Sequence, residues 1–338
     1  MTAEPCAGAG TAVGGLDPKS LVRELARYRA SSFSRSLLEL AITLVPFLLV
    51  TGFMLAAVAG GYWLALVLVP LAGGLLLRLF LIQHDCGHGS FFASRRANDW
   101  LGRCLGVLTL TPYGCWRQSH ALHHASTGNL DARGSGDVDT LTVQEFRSRS
   151  RPGQMLYRLY RHPFVLFGVG PAYQFLLRHR LPLDLKKAGS RYWMSALGTN
   201  AVMALLIAAL IATFGLTAVL LVMLPATLLA ASTGVWLFYV QHQFEDAHWE
   251  RGAKWSFHEA ALHGSSHLEL PPVLRWFSAN IGVHHVHHLA SRIPFYRLPE
   301  VLRDRTELVA VNRFTIGETF QTFRLTLWDE KQRRMVTF

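Results

Sequence analysis

Histidine is grouped in this chain in a pattern that invites metal. The 338 residues include 16 histidines, and three tight clusters stand out: His84-Asp85-Cys86-Gly87-His88, His120-Ala121-Leu122-His123-His124 and His284-His285-Val286-His287-His288. The first has H-x3-H spacing, while the second and third share H-x2-H-H. Neutral imidazole is the commonest metal ligand, and residues at i, i+3 and i+4 of a helix share one face. Each cluster can therefore aim two or three nitrogens at one place. Together they carry more nitrogens than one four-coordinate ion uses, which points to two metal ions close together.

A lone histidine is ordinarily a satisfied core or surface residue, but a repeated doublet at one depth is not. The expected ligands are His84, His88, His120, His123, His124, His284, His287 and His288. His242, in Tyr239-Val240-Gln241-His242-Gln243-Phe244-Glu245, ends an apolar stretch much as His84 does and is taken as a ninth. His285 breaks the i, i+3, i+4 set and is read as supporting a ligand or facing solvent. His263 and His267 repeat a weak H-x3-H spacing and, with His248 and His258, are read as bystanders. His162 and His179 are expected to face lipid headgroups. Cys86 is read as a small buried filler. Asp85, Asp131, Asp137, Asp139, Glu145, Glu245 and Asp246 lie near the clusters, and metal-bound histidine usually donates its other N–H to such a group.

Imidazole suits zinc, copper, iron and nickel alike. A dinuclear nitrogen-rich site beside a membrane, with no obvious catalytic Ser, Cys or Lys, fits redox chemistry with oxygen and favours iron. No catalytic residue is expected beyond the metal ligands, and no organic cofactor is expected. A lipid chain held between the spans could present a methylene to the site.

The elements that must position these residues are membrane helices. Asp, Glu, Lys and Arg make up 16% of the chain, against about 25% in an ordinary soluble domain. Residues 37–83 hold one Glu (Glu39) and one Arg (Arg78), and residues 196–241 hold no charge. A membrane helix needs roughly 20 apolar residues. Each stretch is twice that and is broken by small residues, at Gly60-Gly61 and at Phe214-Gly215-Leu216. The expected fold is an all-α integral membrane protein with four spans, 37–58, 62–83, 196–213 and 217–240. These form two hairpins below a cytoplasmic helical cap that holds a histidine-rich dimetal site.

With Lys19, Arg23, Arg27, Arg29 and Arg35 in the cytoplasm, both hairpins return there, before His84 and before His242. All the clusters then share one side of the membrane, as the positive-inside rule asks of the Lys and Arg. Residues 155–181 are apolar but broken by Pro163, Gly168, Gly170 and Pro171, and are expected to lie in the interface. Residues 101–113 are expected to be re-entrant or interfacial. Asp17 and Pro18 read as the N-cap and first residue of a surface helix over 18–35. Residues 1–15 lack a basic segment before an apolar core and are expected to be disordered rather than a signal peptide. Cys6, Cys86, Cys104 and Cys115 show no disulfide framework, which fits a reducing compartment. The organisation is a tail and surface helix (1–35), a core with spans and clusters (36–310) and a cytoplasmic C-terminal tail (311–338).

Three stretches carry a family resemblance: HALHHASTGNLDARGSGDVDTLTV from His120, WLFYVQHQFED from Trp236, and GSSHLELPPVLRWFSANIGVHHVHHLASRIPFYRL from Gly264. With the boxes in this order, the chain from about residue 40 to 310 resembles the membrane fatty acid desaturases, in particular the acyl-lipid enzymes of delta-12/omega-6 and omega-3 type. The resemblance implies a di-iron centre, O2 as co-substrate, two electrons from a carrier and a new cis double bond in a fatty acyl chain. It matches the nine histidines above to the family's boxes, His242 being the extra histidine before the third. In the acyl-CoA branch an Asn four residues before that histidine reaches iron through water. Here the position is Phe238, and Asn280, four before the third box, is the available substitute. The H-x3-H first box, against H-x4-H in acyl-CoA enzymes, leans to the acyl-lipid branch.

No His-Pro-Gly-Gly motif of a fused haem domain occurs, so a separate electron donor such as a ferredoxin is expected. The net charge of +11 would attract an acidic donor, although the positive-inside rule and anionic lipids account for that charge equally well. The partners implied are a fatty acyl lipid, the membrane and that donor, with no nucleic acid. A hydroxylase or ketolase on the same scaffold is the second reading. A metal transporter or sensor is the third, disfavoured because transporters place their ligands near the membrane midplane.

Overall fold

The computed structural model describes residues 17–134, 136–183 and 189–338; the stretch expected to be disordered, 1–15, lies outside the described residues. Four helices are long and apolar enough to cross a membrane: Phe33–Ala59, Trp63–His88, Ser190–Phe214 and Leu216–His242. They coincide with the four expected spans and run a few residues further. Apolar composition marks only the charge-free part of a helix, whereas the backbone ladder continues until a cap stops it.

In chain order, α1 (Pro18–Leu25) starts at Asp17, whose carboxylate accepts from the backbone N–H of Lys19 and Ser20. The surface helix does not continue to residue 35 as expected. A 3-10 turn (Ala26–Tyr28) closes it, and α2 (Phe33–Ala59) begins behind a new N-cap, Ser32. Nor does α1 lie free, because Leu21, Leu25 and Tyr28 are buried against Val286, Leu289, Val301 and Leu308. Gly61, at φ +87°, turns the chain into the next span. That span opens with a 3-10 segment (Trp63–Leu68) and continues as α3 (Val69–His88).

Next come α4 (Arg95–Leu108) and α5 (Tyr113–Ser126). The expected re-entrant piece at 101–113 is instead the second half of α4 plus a short link to α5. Ser94 caps α4, seven residues upstream of where apolar composition alone shows. The broken apolar region at 155–181 forms short pieces, as its prolines and glycines require. After α6 (Val143–Ser148) these are the end of α7 (Arg151–Tyr160), a π-helical turn (Val165–Val169), α8 (Gly170–Leu176) and a 3-10 turn (Arg178–Arg180).

The spans α9 (Ser190–Phe214) and α10 (Leu216–His242) are joined by Gly215 alone, at φ +83°. Beyond them lie α11 (Phe257–His263), α12 (Pro272–Phe277), α13 (His284–Leu289), α14 (Leu298–Asp304) and α15 (Ile316–Thr322).

The chain is mostly helical but not all-α. Five strands of two or three residues, β1 (Leu141–Thr142), β2 (His267–Glu269), β3 (Arg313–Thr315), β4 (Leu327–Asp329) and β5 (Arg334–Val336), form two small sheets. One has the order β1-β4-β5, with Leu141 opposite Leu327 in the parallel pair. The other pairs β2 and β3 in parallel, with Leu268 opposite Phe314. Strands this short carry no readable alternation. They bind residues 313–336 to the segments that follow α5 and precede α13.

Of the four long helices, α10 packs along both α3 and α2. At Gly73 the approach is close: a Cβ there would lie 3.2 Å from the Ala226 carbonyl oxygen. A charge pair is buried among these helices, where Arg78 meets Glu39 at 2.5 Å and also bonds the Thr43 hydroxyl at 3.1 Å. Pairing is what makes two such charges tolerable away from water.

Candidate metal centre

Four elements bring the nine expected histidines together. His84 and His88 stand one turn apart at the end of α3, which Gly89 stops in a left-handed cap at φ +68°. His120, His123 and His124 lie on α5, and His242 is the last residue of α10. His284, His287 and His288 occupy the short α13. Their imidazoles fall into two groups, His84, His88, His120, His124 and His287 in one, and His123, His242, His284 and His288 in the other. Within each group the ligand nitrogens lie within 4.8 Å of one another. No other group of His, Cys, Asp or Glu among the described residues has this geometry.

The spacing suits a cation. Nε2 atoms stand 3.0 Å apart for His88 and His120, 3.1 Å for His120 and His124, 3.2 Å for His124 and His287, and 3.0 Å for His242 and His284. Nitrogens bound at about 2.1 Å to one metal would be separated by about 3.0–3.4 Å. The tautomers agree. His123 directs Nδ1 at the Asp137 carboxylate, and His242 directs Nδ1 at the Gly264 carbonyl oxygen, 3.2 Å away. A proton held on each Nδ1 leaves a lone pair on the inward Nε2. The Nδ1 atoms of His284 and His288 are buried with no hydrogen-bond partner. Burial first, and neighbouring histidines second, hold the pKa values of His120, His124, His284, His287 and His288 well below the usual value. Neutral imidazole is the metal-binding form.

The two groups differ in shelter. Every member of the second is buried, whereas His88 and His120 of the first are half-buried. The Trp116 indole stacks on His120 at 4.6 Å and 15°, and Gly87 leaves it room, since a Cβ there would lie 2.7 Å from the ring. Phe238 packs 4.9 Å from His123 and 5.1 Å from His242. Trp116 was not legible as a site residue: an aromatic four residues before a histidine on a helix is a common core pattern. Helical i, i+4 spacing to His120 is the signal it does carry.

Of the seven carboxylates near the clusters, only Asp137 hydrogen-bonds an inward-facing histidine. Asp85 accepts from the Phe295 backbone N–H at 2.7 Å. Asp131 binds Arg251, Glu145 binds Arg133, and Glu245 binds Arg334; Asp139 and Asp246 are exposed. Cys86 is buried in the apolar core, outside both groups. Asn280 turns its amide to the Phe295 carbonyl at 3.1 Å rather than to the histidines.

Other histidine expectations are corrected in part. His285 does not face solvent. It is fully buried on the far side of α13, with Nε2 3.0 Å from the Leu308 carbonyl oxygen. His179 bonds Gln174 at 2.8 Å, and burial lowers its pKa to about 4. His162 is exposed, as expected. His248, His258, His263 and His267 stand outside both groups.

Residues 61–319 match the family described as fatty acid desaturase. A fatty acid desaturase of Bacillus subtilis (strain 168) is 41% identical over 320 residues, covering 95% of this chain and 90% of the relative. An sn-1 acyl-lipid omega-3 desaturase (ferredoxin) of Synechocystis is 30% identical over 294 residues, 83% of this chain and 76% of the relative. An sn-1 oleoyl-lipid 12-desaturase of the same organism is 28% identical over 253 residues, 72% and 71% of the two chains.

Proposed function

The chain belongs to the fatty acid desaturase family, a family of oxidoreductases, and from that premise we propose that its nine converging histidines hold two iron ions serving an acyl-lipid desaturase. The observation that carries the reading is the division of nine converging imidazoles into groups of five and four. Two irons held there would supply oxygen-dependent redox chemistry. The balance is one O2, two electrons and two protons consumed, two hydrogens removed from adjacent methylenes, and two waters released.

The chain's own residues prepare the site. Asp137 keeps the proton on Nδ1 of His123, and the Gly264 carbonyl keeps it on Nδ1 of His242, so both present Nε2 lone pairs inward. Burial of His123, His242, His284 and His288 excludes water from the second group. The half-buried side at His88 and His120 is where an acyl chain approaches. Phe238 occupies the place of the water-binding Asn of the acyl-CoA branch, so His242 serves without that neighbour.

The four long helices form two membrane hairpins, with Gly60-Gly61 and Gly215 on the face opposite the histidines. The basic residues before α2 support a cytoplasmic position for the histidines. Electrons come from a separate acidic carrier drawn to the chain's net charge of +11; a ferredoxin is named for one relative. Expression in a host lacking polyunsaturated lipids tests the whole reading. Fatty acid methyl esters analysed by mass spectrometry should contain a new doubly unsaturated species. A hydroxy or keto acid in its place would overturn the desaturase assignment.

A further inference from the structure

Between β2 and α13 the chain leaves the cap and travels down the side of the spans. Both ends of this excursion are fastened at the level of Gln241, one residue before the end of α10. The Ser266 N–H donates to the Gln241 carbonyl at 3.0 Å, and the Gln241 amide donates to the Ile281 carbonyl at 3.0 Å. The middle reaches much deeper. Phe277 lies on Gly74, where a Cβ would meet its ring at 2.8 Å. Gly74 is ten residues before His84 on α3, about 15 Å along the helix axis. The buried Arg78 guanidinium holds the tip there: it donates to the Trp276 carbonyl and lies 4.1 Å from the Trp276 ring.

The outward side of this tip is not finished by protein. Pro271, Pro272, Val273, Leu274 and Arg275 are all exposed, Val273 to 66% and Leu274 to 47%. Leu71, one turn from Gly74 on the same side of α3, is exposed too, as are Leu37, Leu38 and Ile42 of α2. The tip is therefore continuous with the apolar face of the spans. Its one cation, Arg275, has no acidic partner among the described residues. Apolar side chains beside an unpaired arginine match the boundary between acyl chains and phosphate headgroups.

We propose that residues 271–277 form a further membrane contact, an interfacial wedge that seats Val273 and Leu274 among the acyl chains of a glycerophospholipid and directs Arg275 at its phosphate. Arg78 is the positioning residue that holds the wedge at this depth. The assignment stands whatever the histidines bind.

The test uses the full chain in nanodiscs of phosphatidylcholine and phosphatidylglycerol. Val273→Cys carries an environment-sensitive NBD label, with the unsubstituted chain as background. Leu205→Cys, on the exposed side of α9, and Ala132→Cys, in the exposed loop after α5, set the lipid and water limits. Brominated acyl chains should quench the Val273 label at least half as strongly as the Leu205 label, and aqueous iodide should barely reach it. A label quenched by iodide as readily as at Ala132 would overturn the proposal and make the tip a surface for a soluble partner. Native mass spectrometry supplies the second arm. Arg275→Ala should retain phosphatidylglycerol at least threefold less than the parent, with Arg275→Lys partly restoring it. Equal retention by all three would refute the phosphate contact.

Discussion

His124 and His288 lie face to face, with ring centroids 4.1 Å apart and planes 14° from parallel, and each belongs to a different histidine group. The two groups thus share a wall. Moving either ring displaces the other, and so disturbs the neighbouring group as well as its own.

The purified protein should carry about two irons per chain, as two separate ligand groups require. His124→Ala and His288→Ala should each lower iron below one per chain, and the double variant should lose less than the sum of the single losses. His88→Ala and His242→Ala should abolish product while the protein stays in the membrane. His285→Ala should keep the metal but melt earlier, because it removes the ring's hydrogen bond to the Leu308 carbonyl, worth about 0.5–1.5 kcal/mol, and leaves a cavity where a fully buried side chain stood. Elemental analysis, fatty acid profiles and thermal melts, normalised to protein, check all six variants. One zinc and no iron after growth in iron-replete medium would count against the iron assignment.

Asp137 orients His123 without facing the metal itself. Asp137→Asn should weaken iron retention in a chelator competition by about 10–100-fold, the usual cost of losing such a partner. Asp131→Asn, which touches only Arg251 and the Gly252 N–H, should leave it unchanged.

Glu145 gives a pH signature. The Arg133 guanidinium fork is the largest influence holding its carboxyl down, to about 2, with the Thr142 N–H assisting. A depressed carboxylate contributes stability that is present above its unfolded value near 4.5 and is lost as pH falls towards 2. Glu145→Gln should therefore lower the melting temperature at pH 6, and the difference should shrink as pH drops through that window. A constant difference from pH 6 to pH 3 would assign the effect to packing instead.

Topology is read by cysteine labelling in intact cells. Gly60→Cys should react with a membrane-impermeant maleimide, and Ala132→Cys should not until the cells are opened. Equal labelling from outside would break the two-hairpin reading.

The nine histidines were legible because helical spacing alone sets which side chains share a face, and the boxes sit on or at the ends of helices. His242 was found by depth: it ends α10 much as His84 nears the end of α3. Asp137 could be named only as one of seven carboxylates, since it reaches His123 through a loop whose path follows no periodicity. The N-terminus of α4 was missed because its first turn, Arg95-Arg96-Ala97-Asn98, is polar, and its cap, Ser94, is a weak signal beside an apolar run. The short strands and the descent of residues 270–281 were invisible for a related reason. They are fastened by Gln241, Arg78 and β3, all distant in sequence, and local pattern does not report such contacts.

The position of α13 has a consequence for biosynthesis. His287 completes the first group, and His284 and His288 complete the second, while the earliest member, His84, is made two hundred residues before them. Chains emerge from the ribosome N-terminus first, so all four long helices are synthesised while both groups still lack members. The first group is complete only once residue 287 has been made, and the second only once residue 288 has. A message cut short before residue 284 thus yields a product with every long helix present and both groups unfinished.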